Sequence, residues 1–288
     1  MEAHNTIPGN EKNAGQVTGP IFVVGMPRSG TTLFQRVVAV HPDLCTTTRE
    51  TRDFPTSVFM SRLMRRLGKT DKPGEAGLIW DKFLSHDHDV MEAADVTERA
   101  RRFYRAMLDA HLELYDTSRF LARYPPNGLR MPYLKEIFPD AQFVHIIRDG
   151  RAVCESLIRM RKRDVTVEDW WGSRPPSWKE LERLPPMESV AHQWVEVVRR
   201  IVEAGSALPQ GCYTELKYEE LTGDPAGSLE RFFDHCGLVH DTATTETLSS
   251  RADSQNFKWR EVFTDEEIGT VERITGPLLE ELGYDIDA

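Results

Sequence analysis

Residues 20–41 read PIFVVGMPRSGTTLFQRVVAVH, and no other stretch of the chain restricts its fold so tightly. PIFVVG is a short apolar run closed by glycine, the pattern of a strand buried on both faces of a parallel sheet. TTLFQRVVAVHP then predicts a helix that stops before Pro42. Between them lies Gly25–Thr32, GMPRSGTT, a glycine-bounded loop after a strand and before a helix. Such a loop can aim successive backbone N–H groups, and the positive end of the helix, at an anion.

Strands are predicted again at Phe120–Arg123, Gln142–Ile147 and Cys212–Lys217, each bordered by helical text, and this alternation implies βαβ units. Val190, Trp194, Val197, Val198, Ile201 and Val202 fall on one helical stripe, and Leu229, Phe232, Phe233 and Cys236 on another. Between Thr56 and Thr117 no strand pattern occurs, only helical text broken by KTDKPGEAG. The fold class is therefore α/β: a P-loop-type parallel sheet flanked by helices, with a helical cap inserted at about 54–117. Residues 1–19 are polar enough to be a flexible tail, leaving 20–288 as a single domain.

The chain has 288 residues, 40% of them hydrophobic, enough for a sizeable core. Its 36 basic against 46 acidic side chains give a net charge of −10, which argues against a general nucleic-acid or anionic-membrane binder. No run of about 18 apolar residues exists to span a membrane, and the amino-terminal text has no signal-peptide core, so a cytoplasmic location is expected. Cys45, Cys154, Cys212 and Cys236 are scattered without metal-site spacing and are expected to be reduced packing residues.

The loop has the length of the nucleotide-triphosphatase pattern GxxxxGK[ST], but Thr31 stands where lysine belongs. Without the lysine that reaches the β and γ phosphates, triphosphate chemistry is disfavoured, while Arg28 offers a cation suited to a single phosphate. A second segment, IRDGRAVCES at 147–156, again joins a strand end to a helix, at the sheet edge where α/β proteins bind ligands. Asp149 can cap that helix, and Arg148 and Ser156 together offer a site for a second phosphate.

These two segments resemble those of the P-loop sulfotransferases, which use 3′-phosphoadenosine 5′-phosphosulfate as donor. PRSGTT at 27–32 is similar to the family's 5′-phosphosulfate loop, and Arg148 with Ser156 has the spacing of its 3′-phosphate motif. HPD at 41–43, FPDAQFVHIIRDGRAV at 138–153, YEELTGDP at 218–225 and FKWREVFT at 257–264 extend the likeness over nearly the whole folded chain. The resemblance implies an enzyme of bacterial type that moves a sulfuryl group to an acceptor hydroxyl. The product would be adenosine 3′,5′-bisphosphate, with no metal required. It assigns the donor to Arg28, Ser29, Gly30, Thr31, Thr32, Arg148 and Ser156, and nominates Lys258 and Arg260 for the 3′-phosphate.

RETRDF at 49–54 resembles the ETR segment that carries the catalytic glutamate of tyrosylprotein sulfotransferases, which makes Glu50 the expected general base. LARYPPN places Arg123 where the family usually has lysine; an arginine there stabilises charge on the leaving oxygen but is a poor proton donor. The expected catalytic set is Glu50, Arg28 and Arg123. His41, His86, His88, His111 and His192 are alternative bases tied to no donor motif.

The acceptor is expected to be an apolar or aromatic small molecule, a lipid, a glycan or a peptide tyrosine. Residues 163–186 are expected to form a lid. Trp170, Trp171 and Trp178, with Phe54, Phe59 and Trp80, either line the acceptor pocket or belong to the core. Two rivals stand beside this reading. A P-loop small-molecule kinase would depend on ATP and Mg²⁺, and a catalytically silent nucleotide-binding protein would bind the bisphosphate without transfer.

Overall fold

The computed structural model describes residues 19–48, 52–67, 73–163, 170–250 and 256–286. Five parallel strands form one sheet in the order β2-β3-β1-β4-β5. In chain order the main elements are β1 (Ile21–Val24), α1 (Thr31–Val38), β2 (Leu44–Thr46), α2 (Val58–Arg66), α3 (Glu98–Tyr115), β3 (Arg119–Arg123), α4 (Met131–Ile137) and β4 (Gln142–Ile147). There follow α5 (Gly150–Arg163), α6 (Pro186–Ser206), β5 (Tyr213–Lys217), α7 (Tyr218–Gly223), α8 (Pro225–Cys236), α9 (Thr242–Ser249) and α10 (Asp265–Glu281).

Strand β1 is central and fully buried because both neighbours and both faces are covered: Ile21 pairs with Leu121 of β3 and with Gln142 of β4. Its side chains alternate between two cores, as the period of a strand requires. Ile21 and Val23 join Phe34, Val144, Ile146, Phe232 and Phe233 beneath α1, α8 and α9. Phe22 and Val24 join Tyr104, Phe143, Val153, Trp194 and Leu278 beneath α3, α5, α6 and α10.

The predicted strands at 120–123, 142–147 and 212–217 form with boundaries shifted by at most one residue. Strand β2 had no counterpart in the sequence reading. It is three residues long and pairs along one side only, Leu44 with Arg119, so it is too short to show a period. Within the block 54–117 the core claims α3: Tyr104 and Met107 are completely buried, and Trp80 stacks on Tyr104 at 5.3 Å. Trp80, Ile79 and Met91 belong to that core too, and what stands outside it is α2, none of whose described residues joins it. No helix of the described residues is long and apolar enough to cross a membrane. All four cysteines are free thiols, and only Cys212 is not buried.

Candidate functional site

The loop after β1 is held by two glycines where any side chain would be strained. Gly25 has φ +148°, and a Cβ there would lie 2.5 Å from the carbonyl oxygen of Ile146. Gly30, at φ +94°, would meet the ring of Tyr218 at 2.4 Å. Between them Arg28 adopts φ +75°, a left-handed conformation uncommon outside glycine and typical of strained functional loops. The hydroxyl of Ser29 is buried and finds no hydrogen-bond partner among the described residues. A buried polar atom is normally satisfied, so this orphan fits a loop that completes its bonding with an anion.

The second segment reaches the same place because β4 lies beside β1, Val24 pairing with His145. Arg28 joins the two segments through two hydrogen bonds: its Nε donates to Ser156 Oγ at 2.8 Å, and its carbonyl accepts from Arg148 Nη1 at 3.1 Å. Arg148 is itself fixed, donating from Nε to Asn256 Oδ1 at 3.1 Å and lying 4.4 Å over the ring of Tyr218. Burial, reinforced by the charges of Arg159 and Arg148, pulls Arg28 below the ordinary arginine value, and burial does the same to Arg148. Both remain cationic near neutrality. Asp149 caps α5 as expected, accepting from the Arg151 N–H at 2.8 Å, and Arg151 forks onto the same carboxylate.

Arg123, at the end of β3, is buried. Its Nε donates to Gln35 at 3.1 Å, its Nη1 to Thr32 Oγ1 at 2.8 Å and to Thr31 Oγ1 at 3.4 Å, and its Nη2 pairs with Glu75. Burial lowers its pKa and Glu75 pulls it back up. A cavity of about 300 Å³ opens here, lined by Pro27, Arg28, Thr32, Glu75, Arg123, Tyr124, Pro125, Pro126, Trp171, Gly172 and Ser173. It joins the phosphate loop to an apolar and aromatic wall. Trp171 alone of the six aromatic candidates borders it. Trp80 is core, Trp170 is buried with its N–H on Ser173, Trp178 lies edge-on to Trp170, Phe54 is half-buried, and Phe59 is 75% exposed on α2.

Of the expected donor residues, the structure brings together Arg28, Ser29, Gly30, Thr31, Thr32, Arg148 and Ser156. Lys258 and Arg260 are exposed, Arg260 lying over the rings of Phe257 and Trp259; Asn256 ties the start of that segment to Arg148. Glu50 lies outside the described residues. The five histidines do not border the cavity; His41 bonds the carbonyl of Val239 and His111 that of Met107. Sequence reasoning missed Gln35, Glu75, Tyr218 and Asn256. Gln35 and Tyr218 sit in segments already quoted as motif text, but nothing in the spacing tied Glu75 to Arg123.

Residues 20–242 match the model of a family described as the sulfotransferase family. The chain is similar to the omega-hydroxy-beta-dihydromenaquinone-9 sulfotransferase Stf3 of Mycobacterium tuberculosis, 28% identical over 57% of this chain and 41% of that protein. It is also similar to protein-tyrosine sulfotransferase 1 of Danio rerio, 32% identical over 51% of this chain and 36% of that protein. The matched part thus spans less than half the length of either relative. Among solved structures, sulfotransferase STF9 from Mycobacterium avium superposes with a TM-score of 0.60 at 16% identity, over 94% of this chain and 79% of that one.

Proposed function

Since the chain belongs to the sulfotransferase family, we propose that it O-sulfonates an acceptor hydroxyl, with 3′-phosphoadenosine 5′-phosphosulfate as donor and no metal. The observation that carries this reading is the junction at Arg28, where one residue bonds both members of the second motif beside the orphaned Ser29 hydroxyl. Two anion-binding segments that meet in this way suit a nucleotide with phosphates at both ends of its ribose.

When bound, the donor supplies an SO₃ unit on a phosphate leaving group. Ser29, the N–H groups at the start of α1, Thr31 and Thr32 would hold the 5′-phosphate. Arg148 and Ser156 would hold the 3′-phosphate, with Lys258 and Arg260 contributing from the late segment. Glu50 takes the acceptor proton. Arg28 and Arg123 stabilise charge on the departing oxygen, Arg123 as a fixed cation because Gln35 and Thr32 already orient its fork.

The wall of Tyr124, Pro125, Pro126 and Trp171 favours an apolar or aromatic acceptor; of the segment expected as a lid, 163–186, Trp171, Gly172 and Ser173 border the cavity, while residues 164–169 lie outside the described residues. The names of the relatives bracket the class between an isoprenoid lipid and a protein tyrosine. The free thiols fit a reducing, cytoplasmic setting.

The test is a thermal shift with adenosine 3′,5′-bisphosphate in EDTA, beside AMP in EDTA and ATP with Mg²⁺. At a hundredfold excess over its dissociation constant the bisphosphate should raise the midpoint by roughly 5 to 10 °C. A larger shift with ATP and Mg²⁺ would favour a kinase instead. Turnover is then measured with Glu50→Gln, which should retain the bisphosphate shift and lose activity by roughly 10² or more. Near-normal activity would remove Glu50 as base, and a wild-type chain that binds the bisphosphate but transfers to no hydroxyl acceptor would be the silent nucleotide binder.

A further inference from the structure

Helix α2 leaves one row of apolar residues facing outward, while Val58, Met60 and Met64 are half-buried. Ser61 is buried, whereas Phe59 is 75% exposed, Leu63 41% and Leu67 69%. These three stand at i, i+4 and i+8 and so form one row, with Leu67 held to the helix by a 3.2 Å bond from its N–H to the Leu63 carbonyl. Arg62 and Arg66, both exposed, flank the row on the same side. In sequence, residues 54–70 contain Arg62, Arg65, Arg66 and Lys69 and no acidic residue, in a chain whose net charge is −10.

The helix is rooted at the cavity. The chain departs at Thr48 and returns at Pro73, which pair in an antiparallel bridge, and the Gly74 N–H donates to the Thr47 carbonyl at 2.9 Å. Glu75, the next residue, lines the cavity and pairs with Arg123. The chain that carries α2 is thus tethered beside a residue that lines the cavity.

We propose that this face of α2 docks the protein on an anionic lipid surface, with Phe59, Leu63 and Leu67 entering the acyl boundary and Arg62 and Arg66 on headgroup phosphates. A short helix with an apolar row and flanking arginines has the chemistry of an interfacial element. The charge pattern selects this occupant. A second copy of the chain, packed on the same face by two-fold symmetry, would bring the cations of one copy against those of the other. Among the described residues the row meets an acidic partner in Glu113, 3.6 Å from Arg62; both side chains are more than half exposed, and the pair is easily exchanged for phosphate. The acidic remainder of the molecule is repelled by the same surface, so docking is confined to this face.

The experiment is co-sedimentation of the full chain with phosphatidylcholine vesicles, with and without phosphatidylglycerol, at low and high salt. Binding is expected to the anionic vesicles only, weakening as salt rises. The double variant Arg62→Gln/Arg66→Gln should weaken it roughly fivefold per charge removed. The triple variant Phe59→Ser/Leu63→Ser/Leu67→Ser should lower it more than about tenfold. Unchanged melting midpoints would show that both variants fold. Equal, salt-insensitive binding to neutral vesicles, no binding at all, or undiminished binding by the triple variant would overturn the proposal. So would a concentration-dependent dimer in light scattering that only the triple variant abolishes, if vesicles do not bind. The docking stands or falls apart from the donor assignment, because the bisphosphate thermal shift is read without lipid.

Discussion

Arg28 shows why a residue role assigned from a motif needs three dimensions. As motif text it is a cation in a phosphate loop. In the fold its strained backbone turns the carbonyl toward Arg148 and its guanidinium toward Ser156, so it also joins the two motif segments. Ser156→Ala removes one end of that junction and should raise the donor Michaelis constant about tenfold with little change in kcat, since a hydrogen bond to a charged group contributes about 1.5–3 kcal/mol; an unchanged constant would sever Ser156 from the donor.

Glu75 poses a different question, because its carboxylate neutralises Arg123 at the place where a negative group would arrive. Glu75→Gln should lower the donor Michaelis constant severalfold, as the donor no longer competes with a resident anion. A rise instead would mean that Glu75 mainly holds Arg123 in position. The pairing was invisible in the sequence, where the two residues are 48 apart and Glu75 belongs to no motif.

At the scale of elements, the strand-loop-helix unit was legible because each part carried its own local signal: an apolar run, glycines, and helical periodicity. The glycines do more than permit a turn. Gly30 leaves room for the ring of Tyr218, on which Arg148 rests. Gly30→Ala should therefore cost about 1–3 kcal/mol from strained backbone alone and weaken bisphosphate binding as well, read as a lower urea midpoint and a smaller thermal shift. If both were preserved, the loop would have another conformation available. Strand β2 and the reach of α3 into the core were not legible. Three residues carry no period, and an amphipathic helix does not announce which sheet it covers.

Among the buried imidazoles that the proposed chemistry of the molecule does not use, two are held neutral by their surroundings. His145, in the middle of β4, bonds Tyr213 at 2.8 Å, and burial pushes its pKa down to about 3. His111 is pushed down to about 4 by the same cause, partly offset by its bond to the Met107 carbonyl. The unfolded chain binds these protons near pH 6.5 while the folded one does not. Their contribution is thus complete above that pH and lost as pH falls toward 4 and then 3, by about 1.4 kcal/mol per pH unit for each histidine. Half-buried Glu219 and buried Asp89, whose carboxyls are raised, act in the opposite sense nearer the carboxylate range. The urea midpoint should accordingly drop between pH 7 and 5; a flat profile would mean that both imidazoles protonate in place.

The sequence by itself determined the α/β class, the central strands, the two strand-loop-helix motifs and the family, because each is written in contiguous residues whose spacing reflects backbone geometry. Only the tertiary structure decided what those segments meet. That Arg28 bridges both motifs, that Glu75 faces Arg123, and that Phe59, Leu63 and Leu67 point outward depend on side chains far apart in the chain, brought together by strand order and by the packing of helices on two faces of one sheet.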